Sequence, residues 1–292
     1  MFSEVRQAIL PLALRQVQRR GDLERAGLLI ESLARHWRDT KPFQLLIVSP
    51  RRDVQLLRSS LPRFANIDVS VRPESDFFPL LSRFYMMPGW YRQQVVKLHV
   101  PAKLGFDGYL TLDSDVACVG DFDAMTFLDK GRAMSRWEPK RHHEWWQNAA
   151  QAVGVPYDAW SHGLSVTPNI LHGKLAAQTL EHFRLGPIDA MTSLGVRLLR
   201  KVGTIQWTEY SLYTSVAELE GNLFDYHLHW DPCYVHHTQL FSEQSCVWGP
   251  DDFERLVKLP YGSNPGGKFI IVQSHARIPL EQVREYCLSF AA

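Results

Sequence analysis

The segment Tyr109-Leu110-Thr111-Leu112-Asp113-Ser114-Asp115 decides the fold class of this chain. Its first part, Tyr109–Leu112, has the length and composition of a buried β-strand, and two carboxylates follow it. In open α/β sheets, ligands bind beyond the carboxyl ends of the strands. The segment therefore predicts an α/β fold with a binding site at Asp113 and Asp115.

The sequence before this segment alternates between strand and helix patterns. Strands are predicted over Ala8–Leu14, Phe43–Val48 and Ile67–Val71, with helices over Leu23–Ala34 and Val54–Leu61 between them. Strands joined by right-handed helical crossovers form a parallel, doubly wound sheet. We therefore expect a mostly parallel central sheet flanked by helices.

The sequence around and after the central strand completes this pattern. A helix over Trp90–Leu104 leads into the strand. Beyond it, a strand is predicted over Val166–Leu171, helices over Gly173–Phe183 and Thr208–Val216, and a late strand over Phe269–Val272. Because no internal repeat or low-complexity linker divides the sequence, we expect one domain over residues 1–292.

The composition narrows the functional classes. The formal net charge is +1, so bulk electrostatics do not indicate a nucleic-acid partner. The scattered cysteines contain no CxxC pair, which argues against a zinc knuckle or redox motif: Cys118, Cys233, Cys246 and Cys287. Nine Trp are present. Their flat rings suit the apolar face of a pyranose, although an aromatic-rich core explains them as well.

The sequence also bears on location. No signal peptide is recognisable, and the apolar run Ala8–Leu14 is interrupted by Pro11 and too short to span a bilayer. A cytoplasmic location is therefore expected. A basic cluster would suit peripheral contact with a membrane, although such clusters are usually solvated protein surface: Arg6, Arg15, Arg19 and Arg20.

Asp113 and Asp115 form a D-x-D pair. Carboxylates held so close together repel each other unless a cation neutralises them, and Mn²⁺ or Mg²⁺ prefers such oxygens together with phosphate oxygens. An Asp pair that caps a turn is the structural alternative. Haloacid-dehalogenase-like phosphatases also carry D-x-D after a strand, but usually after their first strand and with Thr or Val where this chain has Ala117.

Two further segments carry side chains suited to sugar and phosphate chemistry. On the predicted helix, Arg92, Gln93 and Lys97 share or adjoin one face and suit hydroxyls and anionic oxygens, although a solvated helix face is an equal alternative. In Trp207-Thr208-Glu209-Tyr210, Thr208 and Glu209 suit a helix start. Alternatively, Glu209 is a general base beside an aromatic acceptor platform of Trp207 and Tyr210.

The motifs in this order resemble those of a group of bacterial GT-A glycosyltransferases, including a poorly characterised family. The shared pattern is a helix of the approximate form W-R-x-Q-Q-x-x-K-L, a strand ending in D-S-D, and a later aromatic-x-E-Y-x-L-Y. The matching segments are Trp90–Leu98, Asp113–Asp115 and Trp207–Tyr213, with further similarity in Thr167-Pro168 and Gln273-Ser274.

The resemblance implies a Rossmann-like GT-A fold, with a nucleotide-sugar-binding half over residues 1–125 and an acceptor-binding half over residues 126–292. It also implies transfer of a hexose from a nucleotide-diphosphate sugar to a glycan or lipid-linked acceptor, in the synthesis of a bacterial surface polysaccharide. A phosphohydrolase and a non-catalytic nucleotide-sugar-binding protein are the alternatives.

The resemblance further implies roles for individual residues. Mn²⁺ or Mg²⁺ would be bound by Asp113 and Asp115, with His275 as a third ligand. Glu209 would be the catalytic base, with Trp207 and Tyr210 at the acceptor. Donor contacts are expected from Asp76, Arg92, Gln93, Gln94, Lys97, Asp113 and Ser114. At Ala8–Arg15 the chain departs from the pattern, because relatives often have a Thr-Pro turn there, so no base-binding residue is predicted.

Overall fold

Strands and helices alternate through the N-terminal part of the chain. The computed structural model describes residues 1–15, 19–79, 83–182, 207–231, 240–241, 243–258 and 267–289, and the elements are numbered within these residues. The first are β1 (Val5–Pro11), α1 (Arg19–His36), β2 (Phe43–Ser49), α2 (Arg51–Ser60), β3 (Ile67–Pro73), α3 (Gly89–Leu104) and β4 (Gly108–Thr111).

The elements after β4 are shorter and less regular. The strands are β5 (Val116–Cys118), β6 (Leu128–Asp129), β7 (Arg132–Ala133), β8 (Trp137–Pro139), β9 (His162–Leu164), β10 (Asn169–His172), β11 (Cys246–Val247) and β12 (Phe269–Val272). The helices are α4 (Glu144–Val153), α5 (Gly173–His182), α6 (Glu209–Leu219), α7 (Leu223–Tyr226), α8 (Pro250–Lys258) and α9 (Leu280–Ser289).

A five-stranded sheet lies at the centre, in the order β10-β4-β1-β2-β3. Strands β1 to β4 are parallel, and β10 is antiparallel to β4. The predicted α/β class with a mostly parallel, helix-flanked sheet is therefore confirmed. A second sheet, β11-β12-β5, was not predicted. Because Asp113-Ser114-Asp115 connects β4 to β5, this segment lies where the two sheets meet.

Two predicted strands include residues that do not belong to the observed sheet. The strand predicted over Ala8–Leu14 ends at Pro11, yet Leu12 and Leu14 remain buried. The strand predicted over Val166–Leu171 begins only at Asn169. In both cases apolar residues beyond the ladder are buried by other parts of the chain, so hydrophobicity alone overestimates the strand.

A buried histidine helps to fix the fold around β7 and α6. The His227 ring is fully buried and bonds Ser135 Oγ at 2.7 Å through Nδ1 and the Tyr213 hydroxyl at 2.9 Å through Nε2. Burial, and secondarily the charge of nearby His172, lowers the pKa of His227 to about 3. The ring is therefore neutral in the folded protein at neutral pH.

This histidine should make the protein sensitive to acid. Between the ordinary histidine pKa near ~6.5 and about 3, the unfolded chain binds a proton at His227 that the folded chain does not, so stability falls as pH falls through this window. We expect urea midpoints to decrease from pH 7 to pH 4.5, and the decrease to be smaller in His227→Gln. The exposed His142→Gln is the control, and equal slopes in all three proteins would contradict the assignment.

Candidate active site

A cavity of about 570 Å³ opens at the carboxyl ends of the parallel strands. Pro11 of β1 and Val48 of β2 form part of its wall, together with the segment Asp113–Asp115 that follows β4. This is the edge of an α/β sheet at which ligands bind. The cavity is therefore the candidate active site.

Lys97 of α3 connects the charged groups of the cavity. Its ammonium nitrogen lies 2.9 Å from Oδ1 of Asp113 and 3.0 Å from Oε1 of Glu209. The same nitrogen donates a hydrogen bond of 2.8 Å to Oγ1 of Thr167. Lys97 thus joins side chains from three segments that are far apart in the sequence.

The electrostatics of Lys97 follow from this position. Its side chain is only 2% exposed, and burial by itself lowers the pKa of an ammonium group. The charges of Asp113 and Glu209 outweigh burial and hold the pKa of Lys97 well above its ordinary value. Lys97 is therefore a permanent cation.

Glu209 is positioned by the start of α6. Thr208 is the N-cap: its hydroxyl accepts a hydrogen bond from Ser211 N–H, and the Ser211 hydroxyl accepts one from Thr208 N–H. The Glu209 N–H donates to Oε1 of Gln94 at 3.1 Å. The predicted cap at Thr208 is thus confirmed, and it orients a carboxylate that is 1% exposed.

The protonation of Glu209 is set by opposing effects. Burial raises the pKa of its carboxyl, Lys97 lowers it, and the negative charge of Asp113 raises it again. The net direction is upward. A carboxylate with a raised pKa is a better proton acceptor than one in water.

Asp115 provides the test of whether the site fits a divalent cation. Burial, together with repulsion from Asp113, raises the pKa of Asp115 to about 6. Within the described part of the chain its carboxylate has no ion-pair partner, whereas Asp113 is paired with Lys97. Arg25 and Lys97 oppose this shift but do not cancel it. Two adjacent carboxylates that repel each other fit Mn²⁺ or Mg²⁺.

The cation would need further ligands from the substrate. No group of three or more His, Cys, Asp or Glu side chains among the described residues is placed to hold a metal. Mg²⁺ is commonly held by one or two carboxylates together with substrate phosphates. The pair Asp113 and Asp115 fits that arrangement.

The model of a family of unknown function, DUF6492, matches residues 3–292. This chain belongs to the DUF6492 family. No curated protein matches it. Among the described residues of this DUF6492 protein, no helix has the length and apolarity needed to cross a lipid bilayer.

Solved structures similar to this DUF6492 protein include two transferases. One is mouse xyloside xylosyltransferase 1 in its apo form, with 15% identity over 94% of this chain and 99% of that one, at a TM-score of 0.45. The other is the galactosyltransferase LgtC in complex with donor and acceptor sugar analogs, with 13% identity over 97% of this chain and 94% of that one, at a TM-score of 0.46.

Most of the predicted site residues of this DUF6492 protein line the cavity. They are Arg92, Gln93, Gln94, Lys97, Asp113, Ser114, Asp115, Glu209 and Tyr210. The structure brings together the motifs that were identified separately in the sequence. Tyr210 is only 2% exposed, and its hydroxyl bonds Thr111 and Thr167. It therefore supports the cavity wall more than it offers a ring face.

Three predicted site residues lie outside the cavity lining. Asp76 accepts a hydrogen bond of 2.9 Å from Arg72 on the surface. Trp207 is 1% exposed and packs against Tyr91 at 5.5 Å between ring centroids. His275 is exposed, with its ring centroid 6.2 Å from that of Trp248. Their roles in donor, acceptor and metal binding stay predictions.

The cavity of this DUF6492 protein also contains ion pairs that the sequence did not indicate. Glu74 is buried in its wall and lies 3.5 Å from Arg92. Asp22 of α1 holds Arg15 through contacts of 2.7 and 3.2 Å to the guanidinium. The wide sequence separation of Glu74 from Arg92 hid the first pair. The position of Arg15 in a basic cluster suggested a solvated surface.

Proposed function

We propose that this DUF6492 protein is a metal-dependent glycosyltransferase. It would transfer a hexose from a nucleotide-diphosphate sugar to a glycan or lipid-linked acceptor, in the synthesis of a bacterial surface polysaccharide. The observation that carries the proposal is the contact of one buried ammonium group, on Lys97, with Asp113 and Glu209. This contact unites a candidate metal carboxylate and a candidate base at the edge of the sheet where ligands bind.

The charged side chains suit an anionic donor. Asp113 and Asp115 would hold Mn²⁺ or Mg²⁺, which, when bound, neutralises charge on the departing nucleotide diphosphate. Lys97 fixes the Asp113 carboxylate at 2.9 Å and so orients it without free rotation. The guanidinium groups of Arg15 and Arg92 line the same cavity and suit phosphate oxygens.

Glu209 suits the acceptor side of the reaction. Its carboxylate lines the cavity, and its helix cap and the Gln94 amide fix its position. Burial raises the pKa of this carboxyl and Lys97 lowers it, with a net upward shift. Glu209 would accept the proton of the acceptor hydroxyl as that oxygen attacks the anomeric carbon of the donor sugar.

The phosphohydrolase alternative has less support. In haloacid-dehalogenase-like phosphatases the D-x-D pair usually follows the first strand, whereas here Asp113 follows β4, the fourth strand in the chain. Glycosyl transfer is therefore the proposed function.

In this proposal the enzyme acts in the cytoplasm, at the inner face of the membrane, where it would reach lipid-linked acceptors.

A thermal-shift experiment tests this function directly. A ligand at 100 times its Kd stabilises the folded state by about 2.7 kcal/mol, which raises Tm by several degrees. Among nucleotide-diphosphate sugars, at least one should raise Tm with Mn²⁺ present, and by clearly less without it. The control is the cation alone. If no nucleotide sugar raises Tm under either condition, the proposal is wrong.

A further inference from the structure

Three tryptophans from separate elements line the candidate active site. They are Trp90 at the start of α3, Trp145 at the start of α4, and Trp248 directly after β11. Trp90 is 41% exposed and Trp248 is 54% exposed, and Trp145 is half-buried. The Trp145 ring stacks on His143 at 3.8 Å between ring centroids, so one of its faces is already covered. The accessible parts of large apolar rings in a concave site mark a binding surface.

Trp90 lies on the same face of α3 as Lys97. The two residues are seven positions apart, which is two helical turns or about 10 Å along the axis. Gln93 and Gln94, which line the cavity between them, lie one turn from Trp90. A sugar ring on Trp90 would thus lie next to, and not on top of, the charged centre at Lys97.

Trp248 is connected to Asp115 through the second sheet. Val247 of β11 pairs with Val272 of β12, and the Val272 N–H donates to the Asp115 carbonyl at 2.9 Å. Trp248 and Gln273 each follow these paired residues by one position. Trp248 therefore lines the cavity beside the strand pair that leads to Asp115.

Several of the polar residues that line the cavity with the tryptophans are uncharged. The side chains of Gln93, Gln273 and Ser274 line the cavity and form no hydrogen bond with any residue that the structure describes. The nearby guanidinium groups each have a carboxylate neighbour, Asp22 for Arg15 and Glu74 for Arg92. Free amide and hydroxyl groups beside aromatic faces suit a neutral sugar, whose hydroxyls bond the amides and whose C–H face covers a ring.

We infer that Trp90, Trp145 and Trp248 form a subsite for a neutral hexopyranose, the acceptor end of a glycan. The inference rests on the proposed function, because it makes this ring the acceptor of the transferred sugar. It assigns acceptor binding to rings that are at least partly exposed in the cavity, whereas Trp207 and Tyr210 have their rings buried.

Indole N–H signals in a ¹H–¹⁵N spectrum of ¹⁵N-Trp-labelled protein test the subsite without any catalysis. The nine Trp give nine signals, which single Trp→Phe variants assign. We expect methyl β-D-galactopyranoside to shift the signals of Trp90, Trp145 and Trp248. Sorbitol, which has hydroxyls but no ring, should leave them in place. Signals of Trp37 and Trp146, which are buried, are internal references.

Matched variants measure how much one tryptophan ring contributes to the affinity for the galactoside. Trp248→Ala should bind the galactoside about tenfold more weakly, the size expected when one aromatic stacking contact is lost. Trp160→Ala should bind as the parent does, because Trp160 is 76% exposed but does not line the cavity. Equal affinities in the parent and Trp248→Ala would overturn the inference.

The outcomes separate this inference from the proposed function. If a nucleotide sugar raises Tm but the galactoside moves none of the three indole signals, the subsite is wrong and the transferase proposal stands. If the galactoside shifts the three indole signals but no nucleotide sugar raises Tm, the rings bind a sugar that is not an acceptor. The assignment of this subsite to the acceptor is then overturned.

Discussion

Replacing Asp113 and Asp115 together by Asn should lower the rate of hexose transfer by about a thousandfold or more, since the variant would lose the cation, and losing one group that stabilises a developing oxyanion costs roughly 10²–10³. Asn keeps the shape of each side chain but removes both negative charges. A divalent cation then loses its protein ligands, and the departing diphosphate loses its compensating charge. The increase of Tm by Mn²⁺ with donor sugar should disappear at the same time.

The stability of this double variant should change little. Removing Asp113 breaks the 2.9 Å ion pair with Lys97, but the double replacement also removes a buried carboxylate and the repulsion between the two acidic groups. The control is the double variant Asp68→Asn, Asp251→Asn, which removes two exposed carboxylates outside the cavity. If the Asp113, Asp115 variant transferred hexose as fast as this control, the metal assignment would be wrong.

The central sheet was predictable because its strands are short apolar runs between turn residues. Phe43 begins β2 and Ile67 begins β3, as predicted. Gly105, at φ 70°, ends α3 one residue after Leu104. These signals depend on only a few neighbouring residues, so they can be recognised in the sequence without knowledge of the tertiary structure.

The predicted strand bounds are wrong where residues line the cavity and do not pair within the sheet. Leu12 follows β1, and Val166 and Thr167 precede β10, yet all three line the cavity wall. A buried loop and a buried strand present the same hydrophobic pattern. The small sheet β11-β12-β5 was missed because β11 has only two residues, too few to show any period.

Individual site residues could be identified from the sequence, but the contacts between them could not. Lys97 and Glu209 were identified separately, since each lies near the start or on the face of a predicted helix, whereas the ion pair between them depends on how α3 and α6 pack. The same limit explains Trp207. Its place beside Glu209 suggested an acceptor platform, but the ring is 1% exposed and packs against Tyr91.

Lys97→Met should destabilise the protein by about 3–5 kcal/mol, the cost of leaving a buried charge without its partner. Glu209 is 1% exposed, so water cannot replace the lost ammonium, whereas the Asp113 side chain is 37% exposed and can be hydrated. Adding Glu209→Gln removes the uncompensated charge. The double variant should therefore recover much of the lost stability in urea unfolding, although transfer should stay low because the base is absent.

Lys140→Met is the matched control. Lys140 binds the Glu218 carboxylate at 2.7 and 2.8 Å, outside the cavity lining. Glu218 is exposed, so its charge can be hydrated once the partner is gone, and the loss should be nearer ~1 kcal/mol. If Lys97→Met cost no more than Lys140→Met, or if Glu209→Gln restored nothing to it, the buried ion pair would not be what holds α3 and α6 together at this site.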